Sequence, residues 1–195
     1  MFGHHVWIVW ILHALLRGAS VVMVYAIARL LFPAHERIWL LASGLFGFAP
    51  DLIVVNGLLL TETLFLFLFL YAVYKTLLLF REGLNETPVS AKSTLGTGAL
   101  WACTILTRPT ALLPFLAFLG VLAWQRRFLA VIFAFLPALI LIAPWSYYMS
   151  TRHDSFIFTT TAGGLDLWVG NNPHATGGFV KTPEIQEVRN NNHSV

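Results

Sequence analysis

Apolar residues fill this chain in blocks of near-membrane length, and polar residues fall mostly between the blocks. Residues 6–32 form the first block, interrupted by Arg17 and closed by Arg29, Pro33, His35 and Arg37. Residues 38–57 form the second, with Pro50, Asp51 and Asn56 toward its far end. Thr61 and Glu62 open the third, 63–80, which is packed with Leu and Phe. A carboxylate there complements a helix N-terminus. Residues 81–93 read as a polar loop, 95–106 and 111–124 as a broken pair of short apolar helices, and 128–149 as a last span containing Pro137 and Pro144. The pattern therefore divides the chain into a helical membrane region, 1–149, and a Gly/Asn/Thr/Asp-rich tail, 150–195. No internal repeat stands out.

The broken pair organises the rest. Neither half reaches the roughly 20 residues that a helix needs to cross a bilayer core comfortably. Between them lies Thr107-Arg108-Pro109-Thr110. Pro109 lacks an amide donor and pushes Arg108 out of helical geometry, so one long straight helix is disfavoured. Two short helices meeting at a polar tip fit better, the second starting at Pro109 or Thr110 with its dipole aimed at whatever lies there. An arginine beside such a terminus suits an anion such as a phosphate. The alternative is that Arg108 only snorkels to the interface and Pro109 is an ordinary helix start. Arg17 also has two readings. It is an interior functional charge, or the true span runs over 18–32 with 6–16 near the interface; the second is favoured.

Composition changes the picture in one respect, by fixing the class. The chain has 195 residues, of which 57% are hydrophobic and 11% charged, and a mean hydropathy of +0.74. These values belong to an all-α polytopic membrane protein. The single cysteine, Cys103, excludes an intrachain disulfide. A formal charge of +3 gives no reason to expect nucleic acid as a partner. Met1-Phe2-Gly3-His4-His5 lacks the positive n-region of a secretion signal.

Charge then assigns sides. If the broken pair is a hairpin, Arg29, Arg37, Lys75, Arg81, Lys92, Arg126 and Arg127 share one face. The positive-inside rule makes that face cytoplasmic. Asp51, Asn56, Glu62, Arg108 and the tail then share the extracytoplasmic face. A single crossing would place Arg126 and Arg127 outside, so the hairpin is preferred.

Glu62 is the strongest candidate carboxylate, as general base, metal ligand or hydrogen-bond partner of a hydroxylated substrate. Compensation of a helix dipole is its bland alternative. Asp51 beside Pro50 reads more simply as a cap or turn residue. His4 and His5 are adjacent and diverge on a helix, and His35, His153, His174 and His193 are isolated in loops. No Cys/His cluster supports a zinc site. The sequons at Asn85 and Asn192 are weak signals, the first falling on the cytoplasmic side. In the tail, Asp166 to Pro173 reads as a short apolar strand ending in a turn. Trp168 beside Asn171 and Asn172 suits sugar recognition, although turn formation explains the asparagines as well.

The run Thr61-Glu62-Thr63-Leu64-Phe65, the Leu106-Thr107-Arg108-Pro109-Thr110 break, and Pro144-Trp145 followed by Gly170-Asn171-Asn172-Pro173 occur in that order. In this order they resemble the lipid-carrier-dependent glycosyltransferases of the GT-C fold, including the dolichyl-phosphate-mannose protein mannosyltransferases and bacterial aminoarabinose transferases. The resemblance covers roughly residues 14–179. It implies a GT-C-like helix bundle in the bacterial inner membrane, with the tail outside the cytoplasm. It also implies an enzyme that moves a sugar from a polyprenyl-phosphate carrier to an extracytoplasmic acceptor. Arg108 would then sit near the carrier phosphate and stabilise the leaving group. Glu62 would lie close to the sugar or to a divalent cation, the one cofactor the resemblance leaves open. Asp51, Trp168, Asn171 and Asn172 would line the substrate side, and the tail would contribute to a lid.

The chain departs from the family at both ends. Family members carry an earlier helix and a loop with the catalytic carboxylate, and nothing before Ala14 supplies it. They also continue beyond Val195 with further helices and an outer domain. The chain therefore reads as a piece of such an enzyme. Two other classes compete: a transporter subunit for the lipid-linked sugar, and a non-catalytic partner that binds membrane lipid and assembles with another membrane protein.

Overall fold

The computed structural model describes residues 6–52, 61–84, 90–160 and 171, and among them there is helix and no strand. Among the described residues, the α-helices with both ends defined are, in order, α1 (Val6–Leu31), α2 (Glu36–Gly47), α3 (Glu62–Leu84), α4 (Ala91–Thr107), α5 (Leu112–Trp124) and α6 (Phe128–Arg152). A single 3-10 turn, Pro109–Ala111, joins α4 to α5. Among the described residues, three apolar segments are long enough to cross a membrane: Trp7–Leu31, Glu62–Glu82 and Phe128–Arg152. They mark a membrane protein.

The distribution of side chains supports that class. Large apolar residues point outward, with Leu15, Leu45 and Leu113 among the most exposed. The interior, by contrast, holds Ser20, Ser43, Thr76, Thr94, Thr97 and Thr104. Five of these hydroxyls donate to the carbonyl four residues back, as Ser20 does to Leu16 at 2.8 Å and Thr104 to Leu100 at 2.8 Å. The sixth, Thr76, accepts at 3.0 Å from Trp101 Nε1. Small and self-satisfied polar residues inside with leucines outside is the arrangement expected where the solvent is hydrocarbon.

Packing is closest between α4 and α6. Thr94, Gly98 and Ala102 form a buried row on α4, facing Ala130, Ala134 and Ala138 on α6. A Cβ on Gly98 would stand 2.1 Å from the Ala134 carbonyl oxygen, so the two backbones touch there. The hydrophobic core extends from this seam through Trp101, Ile105, Phe115, Phe118 and Leu122. Trp101 lies edge-on to Phe69, with ring centroids 5.9 Å apart, and contacts Phe115 at 6.2 Å.

The broken pair is a hairpin. Trp101 meets Phe115 across the break, and Phe118 on α5 reaches Phe80 near the far end of α3 at 5.9 Å. The chain turns again at 125–127, where Arg126 has φ 57° and Arg127 N–H donates to Leu122 O at 3.0 Å. That turn has the form of a helix C-terminus closed by a left-handed residue. Alternating helix directions bring Arg29, Arg81, Lys92, Arg126 and Arg127 to one end of the bundle, the lower end. Glu62 and Arg108 occupy the upper end.

Three sequence expectations change. Helix α1 runs unbroken through Arg17, so the favoured reading of a span starting at residue 18 is not what forms. The charge is accommodated because Arg17 Nη2 donates to Phe46 O at 2.5 Å and Gly47 O at 3.3 Å, with the guanidinium 4.7 Å from the Phe46 ring. These are the last carbonyls of α2, where a cation is favoured. The block 38–57 is also not one helix within its described part. Helix α2 stops at Gly47 and helical backbone resumes at Pro50, whose missing N–H suits a helix start. Residues 53–57 lie outside the described residues. Finally, both ends of the expected loop at 81–93 are helical, because α3 reaches Leu84 and α4 begins at Ala91.

Candidate functional site

The upper end is built where α4 stops. Thr107 is the last residue of α4, and Arg108 takes an extended conformation (φ −149°, ψ 124°) before Pro109 starts the 3-10 turn. This is the geometry that a residue preceding proline prefers. It turns Arg108 away from the helix barrel, toward the first turn of α3. There Arg108 Nη2 donates to Glu62 Oε1 in an ion pair. The guanidinium also lies 5.9 Å from the Phe65 ring. Both partners are part-exposed, with 41% of Arg108 and 31% of Glu62 accessible. The pair therefore sits at a boundary and not in a sealed core.

Two cavities flank it. On one side, a 480 Å³ cavity is lined by Thr61, Leu106, Thr107, Arg108, Pro109, Thr110, Thr159 and Thr160. On the other, a small pocket of about 30 Å³ is lined by Arg17, Ser20, Leu52, Glu62, Thr63 and Leu66. Glu62 Oε2 and Arg17 Nε are both buried with no hydrogen-bond partner among the described residues. The pocket between them has room for a water that links α1 to the ion pair.

Sequence reasoning missed the contribution of residues 157–160. After α6 the chain folds back onto the end of that helix. Ser146 Oγ donates to Ile157 O at 2.7 Å, Ile157 N–H donates to Ser150 Oγ at 2.9 Å, and Trp145 Nε1 donates to Thr159 O at 2.9 Å. These bonds deliver Thr159 and Thr160 to the wall of the Arg108 cavity. The Thr159 hydroxyl is buried and makes no hydrogen bond among the described residues. Pro144-Trp145 was visible in the sequence as a motif, but not the purpose of its indole.

The expected site residues are thus placed unequally. Glu62 and Arg108 come together. Asp51 is exposed, at the first helical turn after the break in α2, one residue from the Leu52 that lines the small pocket. Asn171 is exposed, and Trp168 and Asn172 lie outside the described residues. Among the described residues no three His, Cys, Asp or Glu side chains gather closely enough to hold a metal ion.

The arrangement presents a fixed cation, a carboxylate and threonine hydroxyls at the mouth of a cavity on an apolar bundle. Such a set can engage an anionic, hydroxylated group. No protein-family model matches the chain, and neither any curated protein sequence nor any solved structure is significantly similar to it.

Proposed function

We propose that this chain forms part of a GT-C-like membrane glycosyltransferase that takes a sugar from a polyprenyl-phosphate carrier and delivers it to an acceptor outside the cytoplasm. The observation that carries this reading is the Arg108–Glu62 pair at the mouth of the threonine-lined 480 Å³ cavity. The upper end faces away from the cluster of basic residues, which the positive-inside rule assigns to the cytoplasm. With the tail following the upper end of α6, the same argument puts it outside the cytoplasm, and the bacterial inner membrane is the setting that the family resemblance implies.

In this reading the carrier phosphate engages Arg108, with the Thr159 hydroxyl donating to a phosphate or sugar oxygen. The acceptor hydroxyl attacks the anomeric carbon while the bond from that carbon to the phosphate oxygen breaks. The phosphate leaves with the electron pair, and Arg108 balances the charge that develops on it. Glu62, released from Arg108 as the phosphate arrives, takes the acceptor proton. Until then each partner neutralises the other, which makes both tolerable beside hydrocarbon.

The test is retention of polyprenyl phosphate by the purified protein in detergent, read by native mass spectrometry. Arg108→Ala is expected to lower retention by about tenfold, the loss of one charge-assisted contact. Equal retention by wild type and Arg108→Ala would remove the reading.

A further inference from the structure

At the lower end of the bundle, away from Arg108 and Glu62, a 630 Å³ cleft lies between α3 and α4. It is lined by Tyr71 and Lys75 from α3 and by Ser90, Lys92, Ser93, Gly96, Ala99, Leu100 and Cys103 from the α4 side. Lys75 lies within an apolar segment long enough to span a membrane. A lysine in such a position needs a partner or a route to water. Neither Lys75 nor Lys92 forms an ion pair among the described residues.

The two lysines lie at matching depth. At 1.5 Å per residue, Lys75 is about 20 Å along α3 from Glu62, and Lys92 is about 22 Å along α4 from Thr107. Given a hydrocarbon core of about 30 Å, this puts both lysines in its lower third, where their side chains extend toward the lower interface. Above them the cleft becomes apolar. Gly96, Ala99 and Cys103 follow one face of α4 upward, and the space where a Gly96 side chain would stand is empty. Two cations and two serine hydroxyls at interface depth, with an apolar channel rising from them, reproduce the polarity profile of a phospholipid.

We infer that this cleft binds an anionic membrane phospholipid, its phosphate held by Lys75 and Lys92 and one acyl chain lying along Gly96, Ala99 and Cys103. Charge complementarity selects an anionic headgroup over a zwitterionic one. The apolar channel selects a lipid over a free anion. The inference does not depend on the transferase reading, since it uses the opposite end of the bundle and none of its residues.

The test is native mass spectrometry of the full chain in detergent, titrated with phosphatidylglycerol or with phosphatidylcholine of the same acyl chains. Wild type is expected to retain phosphatidylglycerol about tenfold better, given two lysines near the surface. Lys75→Ala/Lys92→Ala should bring the two lipids to parity, and Lys75→Arg/Lys92→Arg should keep the preference. Arg108→Ala should leave it unchanged, which separates this site from the upper one. Equal retention of both lipids by wild type overturns the inference whether or not the alanine variant folds. Displacement of phosphatidylglycerol by equimolar polyprenyl phosphate also overturns it, because the cleft would then belong to the carrier.

Discussion

Arg108, in the break after α4, and Glu62, at the start of α3, meet in an ion pair at the upper end of the bundle, each partly open to solvent. Extended backbone before Pro109 aims the arginine, and the first turn of α3 presents the carboxylate. Under the proposed reaction the two residues have separable duties, so their variants should differ in kind. Arg108→Ala should weaken donor binding, whereas Arg108→Lys should restore part of it. Glu62→Gln should leave donor binding equal or tighter, since it frees the guanidinium, while turnover falls by about 100-fold or more, as expected for loss of a general base. Parallel donor-binding and single-turnover measurements check this. Equal loss of binding in both variants would mean that the pair is structural.

Gly98 supports the fold from beneath. Its missing side chain lets α4 lie against the Ala134 carbonyl, and any Cβ would collide with backbone and not with a movable side-chain tip. Gly98→Ala should therefore force α4 and α6 apart and cost about 1–3 kcal/mol, the usual range for overpacking. Gly98→Leu should abolish a folded bundle. Gly96→Ala is the control, because nothing stands within 4 Å of its added carbon. Thermal unfolding in detergent, followed by helical circular dichroism, orders the three variants.

Arg17 has a structural duty that its position in an apolar helix conceals. Its two bonds to Phe46 O and Gly47 O satisfy the last carbonyls of α2. Arg17→Met keeps the length and the apolar stem but removes the charge. It should destabilise the protein by about 1.5–3 kcal/mol, the range for hydrogen bonds to charged groups. Arg17→Lys should recover part of that. The expected signature is faster hydrogen exchange confined to 44–49.

These residues also show where sequence reasoning reached and where it stopped. The hairpin was legible because Pro109 imposes its own local geometry and because basic residues report membrane sides. Glu62 and Arg108 were legible as chemistry, but their contact was not, since it depends on how α3 packs against α4. Arg17 was misjudged because a mid-span arginine looks costly until the carbonyls of a neighbouring helix end are known. The Gly98 seam was present as small residues four apart on two helices. Such spacing becomes informative only when the facing row is identified. The role of 157–160 was hidden for the same reason: a four-residue segment is too short for any periodicity to reveal that it folds back.

That segment carries the last prediction. Trp145 Nε1 holds Thr159 O at 2.9 Å, and Ser146 and Ser150 hold Ile157, so three side chains of α6 position two threonines against the Arg108 cavity. Trp145→Phe keeps the ring and removes the donor. Loss of one such bond costs about 1 kcal/mol locally, which lowers the population of the docked segment without unfolding α6. Hydrogen exchange should rise at 157–160 and stay unchanged in α4. If Thr159 contributes to the donor site, Trp145→Phe and Thr159→Val should each weaken polyprenyl-phosphate retention by about three- to tenfold, the worth of one hydrogen bond. The double variant should be little worse than either single, because both act through the same hydroxyl. Fully additive losses would separate the tryptophan from the threonine and assign Trp145 a contact of its own with the lipid.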